Sequence, residues 1–291
     1  MNLERRIEKA ISEATGEPAS LIRTRTVSGG SINISRIAEL QDGRRLFIKT
    51  HQDAHLYPGM FAAEYQGLLL LAQPDVIRVP RAYAFDSDFI VMEAYSSSQR
   101  RPDWQELMGR RLALLHQATR SDRFGFNGDN YLGTTTQPNP WHRNWIEFWC
   151  DHRLGWQLEL FSSRTSADDP LLTLGHSLQS RLDKLLSGVD EPAVLLHGDL
   201  WSGNAAADEE GEPIIFDPAC YYGQREAEIG MMRLFGGFDA RCEGAYNEVW
   251  PLQPGADRRI TLYRLYHELN HLNLFGGGYY NTCISTMKQL L

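Results

Sequence analysis

The sequence predicts an α+β chain in two lobes, a small antiparallel sheet within residues 1–94 and a larger, mainly helical part over residues 95–291. Three observations carry that expectation. Short apolar runs separated by glycine- and aspartate-marked turns fill residues 24–93, whereas from Trp104 onward apolar residues recur mostly at helical spacing. The helical part is interrupted by two short strand-like runs, Ala193-Val194-Leu195-Leu196 and Pro213-Ile214-Ile215-Phe216, with polar groups gathered at their ends.

Leu3, Ile7, Ala10, Ile11 and Ala14 are helically spaced, so an amphipathic helix opens the chain. Strand-like segments at 24–27 and 32–40 then flank Ser28-Gly29-Gly30-Ser31. Because glycine has no Cβ, the backbone around Gly29, Gly30 and Ser31 can approach phosphate oxygens; taken alone, the turn is the tip of a plain hairpin. Asp42-Gly43 marks the next turn, and Arg45-Leu46-Phe47-Ile48-Lys49 is a short strand ending in a lysine suited to phosphates. A helix over 61–72 would bury Phe61, Tyr65, Leu68 and Leu69 and leave Glu64 within reach of Lys49, holding that cation toward a nucleotide. Strands at 76–85 and 88–93 complete the sheet. Met92, Glu93 and Ala94 fall where the chain leaves it, since the polar run from Tyr95 ends in Pro102. By position, their backbone N–H and C=O groups would meet the edge of an adenine.

In the second lobe, Trp104, Leu107, Met108, Arg111, Leu112, Leu115 and His116 mark a helix with Asp103 at its N-cap. His116 is expected to be a buried, hydrogen-bonded histidine. Residues 121–144 are rich in Gly, Asn, Thr and Pro, and aromatic residues flanking this loop could line a substrate cleft. An aromatic-rich helical region over 145–160, a polar loop at 162–169 and one amphipathic helix over 171–186 lead to the central polar stretch.

That stretch is His197-Gly198-Asp199-Leu200-Trp201-Ser202-Gly203-Asn204, followed by Asp217 after the second strand. H-x-D-x-x-x-x-N and a later strand-terminal Asp have the spacing of a protein-kinase catalytic loop and its metal-binding aspartate. A hydroxyl attacking the γ-phosphate of ATP needs a carboxylate to take its proton, and the triphosphate needs Mg²⁺ held by oxygen ligands. Asp199 is the expected base, with Asn204 and Asp217 as the metal ligands. Each fragment alone could be a strand end capped by aspartate; together and in order they point to phosphoryl transfer. Pro218-Ala219 stands where a protein kinase has Phe-Gly after this aspartate, so a constitutively assembled site is expected.

A competing motif lies near the C-terminus. His267-Glu268-Leu269-Asn270-His271 matches the zinc signature H-E-x-x-H, but Leu274 replaces a metzincin glycine and no Asp, Glu or His follows His271. A helix packing both histidines against the core is the preferred reading.

Composition narrows the classes. With 42% apolar and 23% charged residues, the 291-residue chain is expected to be soluble and globular, and its net charge of −8 argues against nonspecific nucleic-acid binding. The apolar runs are too short for a membrane span, no signal peptide is legible, and Cys150, Cys220, Cys242 and Cys283 show no disulfide or zinc spacing. A cytoplasmic monomer is the expectation.

With these residues assembled, the chain resembles the fructosamine kinase (ketosamine 3-kinase) family over nearly its full length. The likeness rests on Leu196 through Asn204, Phe216-Asp217-Pro218-Ala219, Tyr222-Gly223-Gln224-Arg225-Glu226-Ala227-Glu228, Gln137-Pro138-Asn139-Pro140-Trp141, and Leu272-Asn273-Leu274-Phe275-Gly276-Gly277-Gly278-Tyr279-Tyr280. The resemblance implies a protein-kinase-like fold with a nucleotide-binding N-lobe and a catalytic, substrate-binding C-lobe. It also implies ATP with Mg²⁺, and phosphorylation of the sugar 3-hydroxyl of a free or protein-linked ketosamine, a deglycation step. Trp201 would stack on the sugar-amine by this analogy, with core packing as the alternative. Ser31 stands where some relatives have Cys, so redox control there is not expected. The rival readings are a kinase for another hydroxylated amine, such as an aminoglycoside, choline or homoserine, and a non-catalytic nucleotide-binding protein.

Overall fold

The structure, a computed structural model, describes residues 2–27 and 33–291. Helix α1 (Leu3–Thr15) starts at Asn2, whose side chain accepts the Arg5 N–H at 3.0 Å, and stops at Gly16 in the left-handed region. The sheet follows as β1 (Leu21–Val27), β2 (Ile34–Leu40), β3 (Arg45–Thr50), helix α2 (Met60–Ala72), β4 (Ala82–Phe85) and β5 (Phe89–Glu93). Its strand order is β1-β2-β3-β5-β4, with every pair antiparallel. The two-residue period of a strand divides its side chains between two cores. Phe89 and Val91 pack with Leu46, Ile48, Ile7 and Ile11 under α1, while Ile90 and Met92 join Phe61, Leu68 and Leu71 of α2.

The expected strand at 76–85 is shorter than its apolar content suggests. Pro80 has no N–H to give a ladder, and Arg78 instead forms an isolated bridge with Ile214, its carbonyl accepting the Ile215 N–H at 3.0 Å. The Arg78 guanidinium also binds Glu93 at 2.7 Å, Asp208 at 3.1 Å and Glu209. The sheet is thereby fastened to the turn at 208–212.

Beyond the sheet come α3 (Trp104–Ala118), β6 (Arg120–Ser121), the hairpin β7 (Asn130–Leu132) and β8 (Thr135–Gln137), α4 (Trp145–Trp149), a wide π turn (Cys150–Gly155) and α5 (Trp156–Ser162). Asp103 does occupy the N-cap of α3, but its carboxylate receives the Arg101 guanidinium and no helix N–H. His116 is fully buried, its Nδ1 2.8 Å from the Tyr246 hydroxyl. The helix expected over 171–186 is two helices, α6 (Pro170–Gln179) and α7 (Leu182–Leu186), separated at Ser180 and Arg181.

Four short strands then frame the polar stretch: β9 (Ala193–Leu196), β10 (Ala205–Ala207), β11 (Pro213–Ile215) and β12 (Tyr221–Gly223), with β9 between β12 and β6. Helices α8 (Glu226–Leu234), α9 (Ala240–Val249), α10 (Ala256–Phe275) and α11 (Tyr280–Leu290) close the chain. Helix α10 is buried on nearly all sides, enclosing Ile260, Leu262, Tyr263, Leu265, Tyr266 and Leu269 together with the polar Arg259, His267, Glu268, Asn270 and Asn273, and so runs through the core. Among the described residues no helix is long and apolar enough to cross a membrane.

Candidate active site

Strand β9 is buried at every residue and delivers His197 into the interior. The His197 ring joins two segments: Nε2 lies 2.9 Å from the Phe216 carbonyl oxygen, and Nδ1 accepts the Asp199 N–H at 3.3 Å. Since a carbonyl only accepts, Nε2 carries the proton and the imidazole is neutral, in keeping with burial that lowers its pKa. Two backbone N–H groups of the same turn, on His197 and Gly198, donate to the buried Glu228 carboxylate of α8. Gly198 has φ +80°, and a Cβ there would overlap the Ala219 carbonyl oxygen, so only glycine fits this crossing. The turn is thus held by the backbone on both sides before any ligand arrives.

Asp199 emerges from this turn. Its Oδ2 accepts Asn204 Nδ2–H at 3.0 Å, and the same amide reaches the Asp199 carbonyl at 2.9 Å. Burial raises the Asp199 carboxyl well above the usual aspartate range, and the neighbouring Asp217 charge raises it further. Proton affinity is therefore increased where a proton acceptor is required. Asp217, just past β11, sits at φ +60°, one of two described non-glycine residues in the left-handed region. Aspartate tolerates that conformation better than most residues, and it turns the carboxylate away from the strand path.

From the sheet, Lys49 near the end of β3 meets Glu64, the partner the sequence suggested, and Asp217 as well. Its Nζ donates to Glu64 Oε1 at 2.6 Å and also to Asp217 Oδ1. Burial alone would lower the Lys49 pKa; the two carboxylates outweigh it and keep the ammonium charged. Glu64 is raised by burial, an effect that the Lys49 charge opposes. Residues separated by 168 positions are thus paired across a crevice of about 900 Å³.

One end of that crevice is apolar, formed by Val27, Ile37, Phe47, Met92, Tyr95 and Phe216. Met92, Glu93 and Ala94 all line it, as their position implied. Their donors are not equivalent, however: the Glu93 N–H goes to the Arg81 carbonyl at 2.8 Å and the Ala94 N–H to the Arg45 carbonyl at 3.4 Å. Tyr95, which the sequence reading passed over, has the first N–H after the sheet without a protein acceptor among the described residues. Gly29, Gly30 and Ser31 lie outside the described residues; Val27 and Asn33 on either side line the crevice.

The opposite end is aromatic. Trp201 is 36% exposed, its ring laid over Gly203, where a Cβ would collide with it, and edge-on to Phe235 at 5.6 Å between centroids. Phe235, His271, Phe275 and Tyr279 continue this wall. None of these four was read from the sequence as a site residue. His271 is the clearest departure: the H-E-x-x-H helix buries His267 and Glu268, whereas His271, on the next turn, faces the crevice. The i, i+4 spacing announced a shared face, but the core accepts only the first of the pair.

A lysine from a five-stranded sheet, paired with a helical glutamate and set opposite a loop bearing Asp199, Asn204 and Asp217, defines a phosphotransferase of protein-kinase-like fold. A choline kinase from Streptococcus pneumoniae shares this fold at a TM-score of 0.65 and 14% identity, with 99% of this chain and 97% of that chain covered. The chain belongs to the fructosamine kinase family, whose sequence model matches residues 3–291. It is 41% identical over 282 residues to the chloroplastic protein-ribulosamine 3-kinase of Oryza sativa subsp. indica, covering 95% of this chain and 81% of the relative. A candidate fructosamine-3-kinase from Thermobifida fusca superposes with a TM-score of 0.88 at 31% identity, with 98% of each chain covered.

Proposed function

We propose that the protein is an ATP-dependent kinase that phosphorylates the 3-hydroxyl of the sugar moiety in ketosamines, ribulosamine or fructosamine adducts of free or protein-bound amines. The observation that carries this reading is the Lys49–Asp217 pair across the crevice, with Asp199 beside it at the junction of an apolar and an aromatic end. Family membership selects the ketosamine among hydroxylated amines.

The adenine would lie at the apolar end against Glu93 C=O and Tyr95 N–H, with Lys49, held by Glu64, directed at the phosphates. Asn204 and Asp217 fit a magnesium site. The Asn204 Nδ2 group is committed to Asp199, which leaves its Oδ1, with the Asp217 carboxylate, as hard oxygen donors. Bound there, magnesium would neutralise charge on the triphosphate. Asp199 takes the proton of the sugar hydroxyl as it attacks, and Trp201 covers the sugar-amine. A 3-phosphate leaves a ketosamine far more readily than hydroxide does once C1 enolises, so the product sheds phosphate and then its amine.

The crevice also motivates dividing the chain into residues 1–94 and 95–291. ADP production over ribose- and glucose-derived ketosamines, with aminoglycosides, choline and homoserine as controls, tests the reading. Nucleotide consumption with ketosamines alone is expected; consumption with a control amine only, or nucleotide binding without turnover on any compound, would overturn it.

A further inference from the structure

The aromatic end of the crevice contains one polar atom whose protonation state the surrounding structure dictates. His271 Nδ1 lies 2.7 Å from the His267 carbonyl oxygen, one helical turn back. That oxygen can only accept, so Nδ1 bears the hydrogen. In the neutral ring Nε2 is then an acceptor, and it has no protein partner among the described residues. Burial holds the ring in the neutral form by lowering its pKa.

The surroundings restrict what can meet this acceptor. Phe235 stands edge-on to His271 at 5.0 Å between centroids, and Tyr279 and Phe275 lie tilted against it at 5.2 Å and 5.6 Å, with Trp201 against Phe235. The oxygens of the two lining amides at this end, which could compete for a donor, are already engaged. Asn130 donates to the Cys220 carbonyl and accepts from Gln137 and Asn139; Asn270 donates to the Leu132 carbonyl and accepts from Gln157. Among the described residues lining the crevice, Lys49 is the only lysine or arginine, and it is engaged by Glu64 and Asp217. An uncommitted acceptor enclosed by aromatic rings, with no competing cation, favours a donor that carries positive charge.

We propose that His271 Nε2 receives an N–H of the ketosamine's protonated amine, while Trp201, Phe235, Phe275 and Tyr279 enclose the carbon chain attached to that nitrogen. This rests on the ketosamine kinase reading and extends it from the reacting hydroxyl to the amine. His271 is thereby a specificity residue, set in its tautomer by the His267 carbonyl.

The test compares two substrates in the parent protein, His271→Phe and His271→Gln. One substrate is a ribulosamine carrying an alkyl chain; the other is the 1-O-alkyl ether of ribulose, with oxygen in place of nitrogen. The parent is expected to favour the amine in kcat/KM by about 10- to 100-fold, the range of a charge-assisted hydrogen bond. His271→Phe, which keeps a ring and loses the acceptor, should raise KM for the amine by that factor. Its kcat, its KM for ATP and its KM for the ether should change by less than about threefold, and His271→Gln, retaining an acceptor, should recover part of the preference. An equal rise for amine and ether, or no preference in the parent, would overturn the assignment. Failure of the parent itself to turn over any ketosamine would instead remove the kinase reading, and this inference with it.

Discussion

The two ends of the crevice are built in different ways. At the nucleotide end the polar groups come from compact motifs: His197 through Asn204 is one continuous stretch, and Asp217 follows it after a two-stranded turn. At the acceptor end the rings of Trp201, Phe235, His271, Phe275 and Tyr279 come from the polar loop, the end of α8, the last turns of α10 and the turn after it. Chemistry common to every phosphoryl transfer is fixed by short spacings, while selection of the acceptor is left to side chains that only packing brings together. The first end should therefore tolerate almost no change, and the second should yield graded changes in KM.

The largest expected effect lies at the junction. Asp199→Asn removes the proton acceptor and keeps the shape, so kcat should fall by about 10³-fold or more while ATP affinity, measured by calorimetric titration, stays within about twofold. Loss of ATP binding in this variant would break the contrast by making Asp199 part of the nucleotide site. Next is Lys49→Met, which strands Glu64 in the interior without its cation. A loss of about 3 kcal/mol in denaturant-measured stability is expected with weakened ATP binding, and Glu64→Gln introduced on top should recover part of the stability. Gly198→Ala should cost about 2 kcal/mol and most of the activity, because φ +80° and the Ala219 carbonyl both exclude a Cβ.

On the acceptor side, Trp201→Ala should raise KM for the ketosamine by about 10-fold and leave KM for ATP unchanged, the loss of one aromatic contact surface. An equal rise for ATP would show that Trp201 acts on the loop as a whole. The smallest effect sharpens the difference between the two histidines of α10. Burial pushes the His267 pKa down to about 3, against about 6.5 in the unfolded chain. Below about pH 6.5 the unfolded state takes up the proton that the folded state refuses, so stability falls as pH falls, by up to about 1.4 kcal/mol per pH unit from this group. His267→Leu should flatten that slope in thermal melts between about pH 7 and 5; an unchanged slope would place the acid sensitivity elsewhere.

What the sequence made legible follows the same division. The order of the sheet and helical segments, the Lys49–Glu64 pair and the trio Asp199, Asn204 and Asp217 could be read because strand and helix periods and motif spacings are local properties. The helix break at Ser180 and Arg181, the shortened strand at Pro80 and the π turn after Trp149 were lost inside longer apolar patterns. Tyr95 was missed because its importance depends on which neighbouring N–H groups the sheet has already used. His271 was grouped with His267 because i, i+4 spacing says which residues share a face, and not where the core ends on that face.

The most direct test of the account is the site of phosphorylation. Phosphorus–proton NMR of the product formed from a ribulosamine and ATP, recorded before the adduct decays, should place the phosphate on O3, with coupling to H3 and subsequent release of phosphate and free amine. A stable product phosphorylated at another hydroxyl would contradict it, because the acceptor end would then be presenting a different oxygen to Asp199.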